Sequence, residues 1–350
     1  MEKVFALPNG EELVASVLGP GEGRGTGAAQ QETYSFLTRP FDPWMVPAEG
    51  GFLAEFLAGT HDPSLADTML VGRIDGTVVG TAWHGTSRDL PEMGGYGFVF
   101  TEPEQRGKGI AQRLTELSIQ GFWEVGGQVS YLGTVNPVAQ HIYEKHGYRH
   151  YNGLTYRALR PGTDGARFDE EFFGRAGAGM VRDMRMGDIG AYTGLVMLLE
   201  PSEWIVRDYT EAMFYAPPAV QASGCLRPFF NSMTRHTASD ANVWKVLVND
   251  RGRMVASANL WAPTHAPVRA NATMEFQAAP AYVDRAGAVI EAALDHAAAH
   301  DVRAVRACGV SEGRLGVLRE AGFVEEVVQP AALDLGEGRA DVTVMRRDLG

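Results

Sequence analysis

Along the chain, runs with every second position apolar alternate with stretches whose apolar residues recur every three or four positions, the signatures of strands and amphipathic helices. Residues 3–7 and 12–18 flank Pro8-Asn9-Gly10 and predict an opening hairpin, because Asn-Gly supplies the positive backbone angles of a tight turn. The glycine-rich run 19–27 lacks the Gly-Lys-Ser/Thr ending of a phosphate loop and reads as a connector. Helices are expected over 28–37 and 48–58. The period then changes: 68–74 and 77–86 read as strands joined by Asp75-Gly76, and 95–101 as a third strand. A helix over 109–124 places Ile110, Leu114 and Leu117 on one stripe, with Ile119 off it. A strand at 128–134, a helix at 137–145 and a hairpin over 147–160 turning at Asn152-Gly153 complete this half.

Residues 161–178, rich in Gly, Asp, Glu and Arg, read as a connector, and beyond them the order of elements returns. Strands at 243–248 and 254–260 flank Asn249-Asp250-Arg251-Gly252, followed by a strand (273–277), a helix (284–299), a strand (302–308) and a helix (311–321). Both halves then reach Gly-aromatic, Gly147-Tyr148 and Gly322-Phe323, which implies a tandem duplication. The expected organisation is an N-terminal domain over 1–160, a linker over 161–178 and a second domain over 179–350. The 350 residues agree with two domains, and 45% hydrophobic content suits two buried cores.

Charge narrows the partners. With 31 Lys and Arg against 43 Asp and Glu, the net charge of -12 repels nucleic acid and anionic lipid, so neither is an expected partner. Cys225 and Cys308 lie far apart, outside any zinc-binding spacing, which favours a reducing, cytoplasmic setting and no metal. The first residues carry Glu2, Glu11 and Glu12 in place of a basic n-region, and no apolar run is long enough to span a bilayer.

The stretch from Phe98 to Arg113 carries the most chemical information. A strand runs through Glu102 and Pro103 into a helix by way of Arg106-Gly107-Lys108-Gly109-Ile110-Ala111. The two glycines permit turns that aim successive N-H groups outward at the helix start. With the helix dipole and the cations Arg106 and Lys108, they make a cradle for a pyrophosphate. Thirty residues past Arg106 comes Asn136-Pro-Val-Ala139, leading to Ile142, Tyr143 and the helix-stopping Gly147. Helical spacing turns Ala139 and Ile142 to the core and projects Tyr143 near the helix end. Its phenol can protonate a thiolate, since ~10 for tyrosine exceeds ~8.5 for a thiol.

These two motifs, in this order, resemble the GNAT acetyltransferase family over about residues 68–160. The resemblance implies an α/β (α+β) fold: two tandem domains, each a mixed, mostly antiparallel twisted sheet flanked by helices. It further implies that Arg106, Gly107, Lys108, Gly109, Ile110 and Ala111 hold the pyrophosphate of acetyl-CoA. Phe100 and Thr101 would pair with its pantetheine arm, Asn136 would touch that arm, and Tyr143 would be the general acid. The base is open among Glu102, Glu92 and His84.

The second half resembles the same fold with its cofactor site eroded. Aligning Pro280 with Pro103 puts Val283-Asp284-Arg285-Ala286-Gly287-Ala288 opposite residues 106–111, and Gly322 with Gly147 puts Leu318 opposite Tyr143. The expected activity is N-acetylation of a primary amine of a small molecule by direct transfer, in a monomer or homodimer. A protein or peptide amine as acceptor, or acyl-CoA binding without turnover as a sensor or assembly subunit, are the alternatives.

Overall fold

The computed structural model describes residues 2–18, 28–41, 47–177, 179–199, 206–208, 214–216, 227–262, 271–334 and 338–350. The expected connector 19–27 lies outside the described residues. Two compact units emerge, one of Met1–Thr163, Arg185–Gly190 and Gly224–Asn231, the other of Asp164–Met184, Ala191–Ser223 and Ser232–Gly350.

The first unit opens with the hairpin β1 (Glu2–Ala6) and β2 (Glu12–Leu18), with Gly10 at φ +88° in the turn. Helices α1 (Ala28–Phe41) and α2 (Pro47–Ala58) precede a second hairpin, β3 (Leu65–Ile74) and β4 (Thr77–Ser87). Asp75 (φ +48°) and Gly76 (φ +79°) take the two positive angles that a two-residue hairpin turn requires. Then come β5 (Met93–Thr101), α3 (Ile110–Glu124), β6 (Val129–Gly133), α4 (Pro137–Lys145), β7 (Tyr148–Asn152) and β8 (Thr155–Leu159). The sheet order is β1-β2-β3-β4-β5-β6-β8-β7, antiparallel throughout except where β5 and β6 run parallel. That pair needs a crossover, and α3 supplies it.

Successive side chains of β4 fall on opposite faces. Trp83 meets Phe52 of α2, while His84 stacks on Phe122 of α3 at 4.1 Å between ring centroids. The core on the α3 face joins Leu13, Ala82, Tyr96, Ile110, Leu114, Tyr143 and Tyr148. Close approach there depends on Gly80, where a Cβ would sit 2.8 Å from Ile110. The helical stripe differs in one respect from its expected form: Ile119 is buried and Leu117 only half-buried, since α3 lies across a twisted sheet and turns a wider arc inward.

The second unit begins earlier than its composition suggests. Residues 165–173, expected as part of a connector, form α5 (Gly165–Phe173), capped by Asp164 and burying Phe168, Phe172 and Phe173. Three aromatic residues at helical spacing outweigh the polar composition around them. There follow in the chain β9 (Met180–Asp183), α6 (Ile189–Leu198), β10 (Val206–Asp208), β11 (Phe214–Ala216), α7 (Arg227–Thr237), β12 (Val243–Val248) and β13 (Met254–Trp261), the first residues of α6 and of α7 belonging to the first unit. Then come β14 (Asn271–Ala278), α8 (Ala286–Ala298), β15 (Ala304–Gly309), α9 (Glu312–Glu320), β16 (Val324–Asp334) and β17 (Arg339–Asp348).

Its sheet, β16-β17-β15-β14-β13-β12-β9, read backwards repeats the succession β2-β3-β4-β5-β6-β8-β7. The parallel pair, β14 with β15, falls at the corresponding place and is again bridged by a helix. The fold is therefore α/β, two mixed sheets each flanked by helices. Among the described residues no helix is long and apolar enough to cross a membrane.

Candidate active site

The site begins where β5 and β6 part. Their pairing runs from Met93↔Val129 to Gly95↔Tyr131 and stops, so beyond Gly95 the two strands diverge. On its other side β5 stays paired with β4, but the register shifts between Thr81 and Trp83. Phe98 stands in that bulge at φ +48°, a left-handed angle that a bulky side chain adopts only when its surroundings enforce it. Thr81 Oγ1 donates to Phe98 O at 2.9 Å, and the Phe98 ring joins Trp83 (5.7 Å) and Phe52 (6.1 Å). The bulge thus re-aims backbone beside the gap.

Past Thr101, whose Oγ1 is buried without a hydrogen-bond partner, the chain makes a short 3-10 turn over Pro103–Gln105. It then passes through Gly107 (φ +80°) and Gly109 (φ +85°) into α3. Gly109 caps α3 with no side-chain acceptor, and a Cβ at either glycine would meet nothing within 4 Å. The first N-H groups of the helix accordingly face an open approach. Lys108 Nζ is steadied by Glu11 (2.7 Å) and Gln105 (2.6 Å). Arg106 donates to Thr101 O at 3.2 Å and lies over the Phe100 ring. Ile110 is fully buried and half-buried Ala111 follows it, so the cradle is anchored in the core.

On α4, Asn136 Oδ1 accepts from the Val138 and Ala139 amides at 3.0 and 3.4 Å. Its side-chain carbonyl is committed to capping, which leaves Nδ2 as the side-chain donor. Tyr143 lies deeper than spacing suggested: it is 7% exposed while Ala139 and Ile142 are half-buried. Its ring meets Tyr96 edge-on at 5.8 Å and Tyr148 at 6.0 Å, which fixes where the hydroxyl points.

The three base candidates separate. Glu102 stands at the splayed end of β5, paired with Arg39 of α1. Glu92 precedes β5 at its other end, where its carbonyl receives the Gln128 and Val129 amides, roughly 20 Å of strand from Phe98. His84 is turned to α3, and burial pushes its pKa down to about 3. An imidazole so unwilling to hold a proton takes little from an ammonium group.

The same burial makes folding acid-sensitive. Above pH 6.5 His84 is neutral folded and unfolded, whereas between 6.5 and about 3 only the unfolded chain takes up the proton. This single group is expected to remove about 2 kcal/mol of stability by pH 5. Urea unfolding at pH 7.5 and 5 checks it: His84→Gln should flatten that part of the pH dependence, and an unchanged slope would show the imidazole is not held neutral.

Sequence reading missed His61 and Asp67, which share the Trp83 face with Phe98. His61 Nε2 lies 3.1 Å from Asp67 Oδ1, in contact though not aligned as a hydrogen bond, and Trp83 Nε1 donates to Asp67 Oδ2 at 3.0 Å. The available signal was one acid at an inward position of β3.

Among its described residues the second unit lacks these features. Its 3-10 turn Pro280–Arg285 leads into α8 through Arg285 and Ala286, both in the right-handed helical region, so no glycine turn precedes the helix. Asp284 is held by the two terminal guanidinium nitrogens of Arg175, at 2.7 and 2.9 Å. Between the diverging β14 and β15 lies Arg314, only 2% exposed, donating to Phe276 O (2.6 Å) and Cys308 O (2.7 Å) and lying over the Phe276 ring. Arg314 is the third residue of α9, as Ala139 is of α4, and Leu318 is buried opposite Tyr143. A protein cation bridges the strands where the first unit leaves a gap.

Residues 66–150 match the acetyltransferase (GNAT) domain family. No curated protein matches the sequence. Among solved structures, the chain is similar to a phosphinothricin acetyltransferase from Sinorhizobium meliloti solved with AcCoA: 17% identity, 49% of this chain, 89% of that one, TM-score 0.40. It is also similar to a GNAT protein from Kribbella flavida (21%, 49% and 98%, TM-score 0.38). A ribosomal-protein-alanine N-acetyltransferase from Brucella melitensis is a third (12%, 48% and 99%, TM-score 0.39).

Proposed function

With a GNAT acetyltransferase domain at residues 66–150, we propose that the chain transfers an acetyl group from acetyl-CoA directly to a primary amine of a small cytoplasmic molecule. One observation carries this reading: the gap between β5 and β6 runs alongside the uncapped, glycine-opened start of α3. An extended thioester arm fits the gap as an added strand, and its pyrophosphate fits the helix N-terminus.

The acceptor nitrogen attacks the thioester carbonyl, the developing oxyanion is met by a backbone amide of the Phe98 bulge, and the C–S bond breaks. Tyr143 protonates the departing thiolate. Glu102 takes the proton lost by the amine, since Glu92 stands at the far end of the strand and His84 is buried against Phe122 with its basicity suppressed. No covalent acyl-enzyme is required, so sequential kinetics are expected.

The cradle is tested by Gly109→Glu, which puts a side chain and a negative charge against the pyrophosphate at a left-handed backbone position. Acetyl-CoA binding should weaken tenfold or more, about 1.4 kcal/mol. The matching control lies at Gly287, in open space on α8; Ala286 is fully buried, and a Glu there would act through folding. Gly287→Glu should leave binding unchanged. Calorimetry showing two equivalent sites per chain, or ping-pong kinetics with an isolable acyl-protein, would overturn the reading.

A further inference from the structure

Asp67 of β3 carries a buried carboxylate that the chemistry set out above leaves unused. Its side chain is fully buried, and its two oxygens face different rings: Trp83 Nε1 donates to Oδ2 at 3.0 Å, and His61 Nε2 lies 3.1 Å from Oδ1. A carboxylate so placed is costly unless its neighbours replace the lost hydration. Backbone pairing already ties β3 to β4 from Leu65↔Ser87 to Ile74↔Thr77, so these strands need no side-chain tie between them. What the bond to Asp67 fixes is the indole itself.

The indole lies along β4 over Gly85, the residue opposite Asp67 in the register, where a Cβ would stand 2.3 Å from the ring. It meets the Phe98 ring edge-on at 5.7 Å, and Phe52 and Phe230 each stand 6.1 Å from that same ring. Phe98 is the residue that needs such support. With Val99 it stands opposite Ala82 in the bulge, since Thr81 pairs with Phe100 and Trp83 with Gly97. Its φ of +48° persists only while the surroundings over-determine it. Thr81 Oγ1 holds its carbonyl and Trp83 its ring, so the bulge is fixed through both backbone and side chain.

We propose that Asp67 is a positioning residue for acetyl transfer: through Trp83 it holds the Phe98 bulge in the conformation that turns a backbone amide toward the thioester oxygen. This rests on the acetyl-transfer reading above and adds to it a residue too deeply buried to touch cofactor or amine. A misplaced oxyanion donor weakens binding of the transition state, while the hold on CoA at the start of α3 stays as it was. The signature is therefore a loss in kcat with acetyl-CoA affinity unchanged.

The test is steady-state kinetics of the full chain with acetyl-CoA and a panel of primary amines, read by thiol release, beside calorimetric titration with acetyl-CoA and circular dichroism. Asp67→Ala should lower kcat about tenfold or more, with the acetyl-CoA dissociation constant within about twofold of the wild type. Asp67→Asn, whose side-chain carbonyl still accepts from the indole, should keep kcat within about threefold of the wild type. That rescue separates positioning from the mere presence of a charge. Trp83→Phe keeps a ring beside Phe98 but has no N-H for Asp67; it should lose kcat as Asp67→Ala does, and it serves if Asp67→Ala does not fold. A wild type that releases no thiol with any amine would remove the acetyl-transfer reading and this proposal with it. An active wild type beside a folded Asp67→Ala or Trp83→Phe of equal kcat, a loss confined to KM, or an Asp67→Asn as impaired as Asp67→Ala would overturn this proposal alone.

Discussion

Tyr143→Phe is expected to lower turnover about 100-fold or more while acetyl-CoA binding stays near that of the wild type. The ring is held edge-on between Tyr96 and Tyr148 in the α3-side core. Phenylalanine keeps that packing, so a loss of rate reports the hydroxyl alone. Steady-state kinetics should show the fall in kcat with little change in KM, and the alkaline limb of the pH profile should move in the variant. The acidic limb should respond instead to Glu102→Gln. Equal turnover under conditions where chemistry limits the rate would remove Tyr143 from the proton path.

Arg314→Ala is expected to destabilise the second unit by about 2–4 kcal/mol. The guanidinium is buried, spans the divergence of β14 and β15 with two short hydrogen bonds, and covers the Phe276 ring at 4.1 Å. Truncation takes a donor from each carbonyl and opens a void among packed side chains. Lysine keeps the charge but has no planar fork to reach both strands, so Arg314→Lys should fall between. Urea unfolding followed by tryptophan fluorescence reads the effect, since Trp244 is fully buried in this unit. An alanine variant as stable as the wild type would mean that Arg314 fills the divergence without holding it.

Local chemistry explains what was legible in advance. Asp75-Gly76 sits where the backbone needs two positive angles, and Gly107 and Gly109 adopt the angles that only their lack of a side chain makes inexpensive. The apolar stripe of 110–124 announced a helix between the strands 95–101 and 128–134. What stayed hidden are relations between residues distant in the chain. Nothing near Glu92 shows that it lies at the opposite end of its strand from Glu102, and nothing near His84 shows that Phe122 covers it. His61 and Asp67 meet only through the course of β3. The 165–173 helix was obscured because composition averages over Phe168, Phe172 and Phe173, whose spacing carries the signal.

Arg314 is the clearest case of this division. Its sequence neighbourhood, Ser-Glu-Gly-Arg-Leu, announces a capped helix and an exposed cation, and the cap is there, Ser311 Oγ accepting from the Arg314 amide at 3.2 Å. The amino-acid sequence by itself determined the strands and turns of the first unit, the two glycine angles before α3 and the repeated order of elements, because each depends on backbone angles and periodicities set within a few residues, whereas β9, β16 and β17 went unread. Only the tertiary structure decided what lies where the parallel strands part: strands that diverge past Gly95 in one unit, a buried guanidinium between them in the other. That outcome depends on volume and hydrogen-bond partners brought together from separate elements, which no local pattern records.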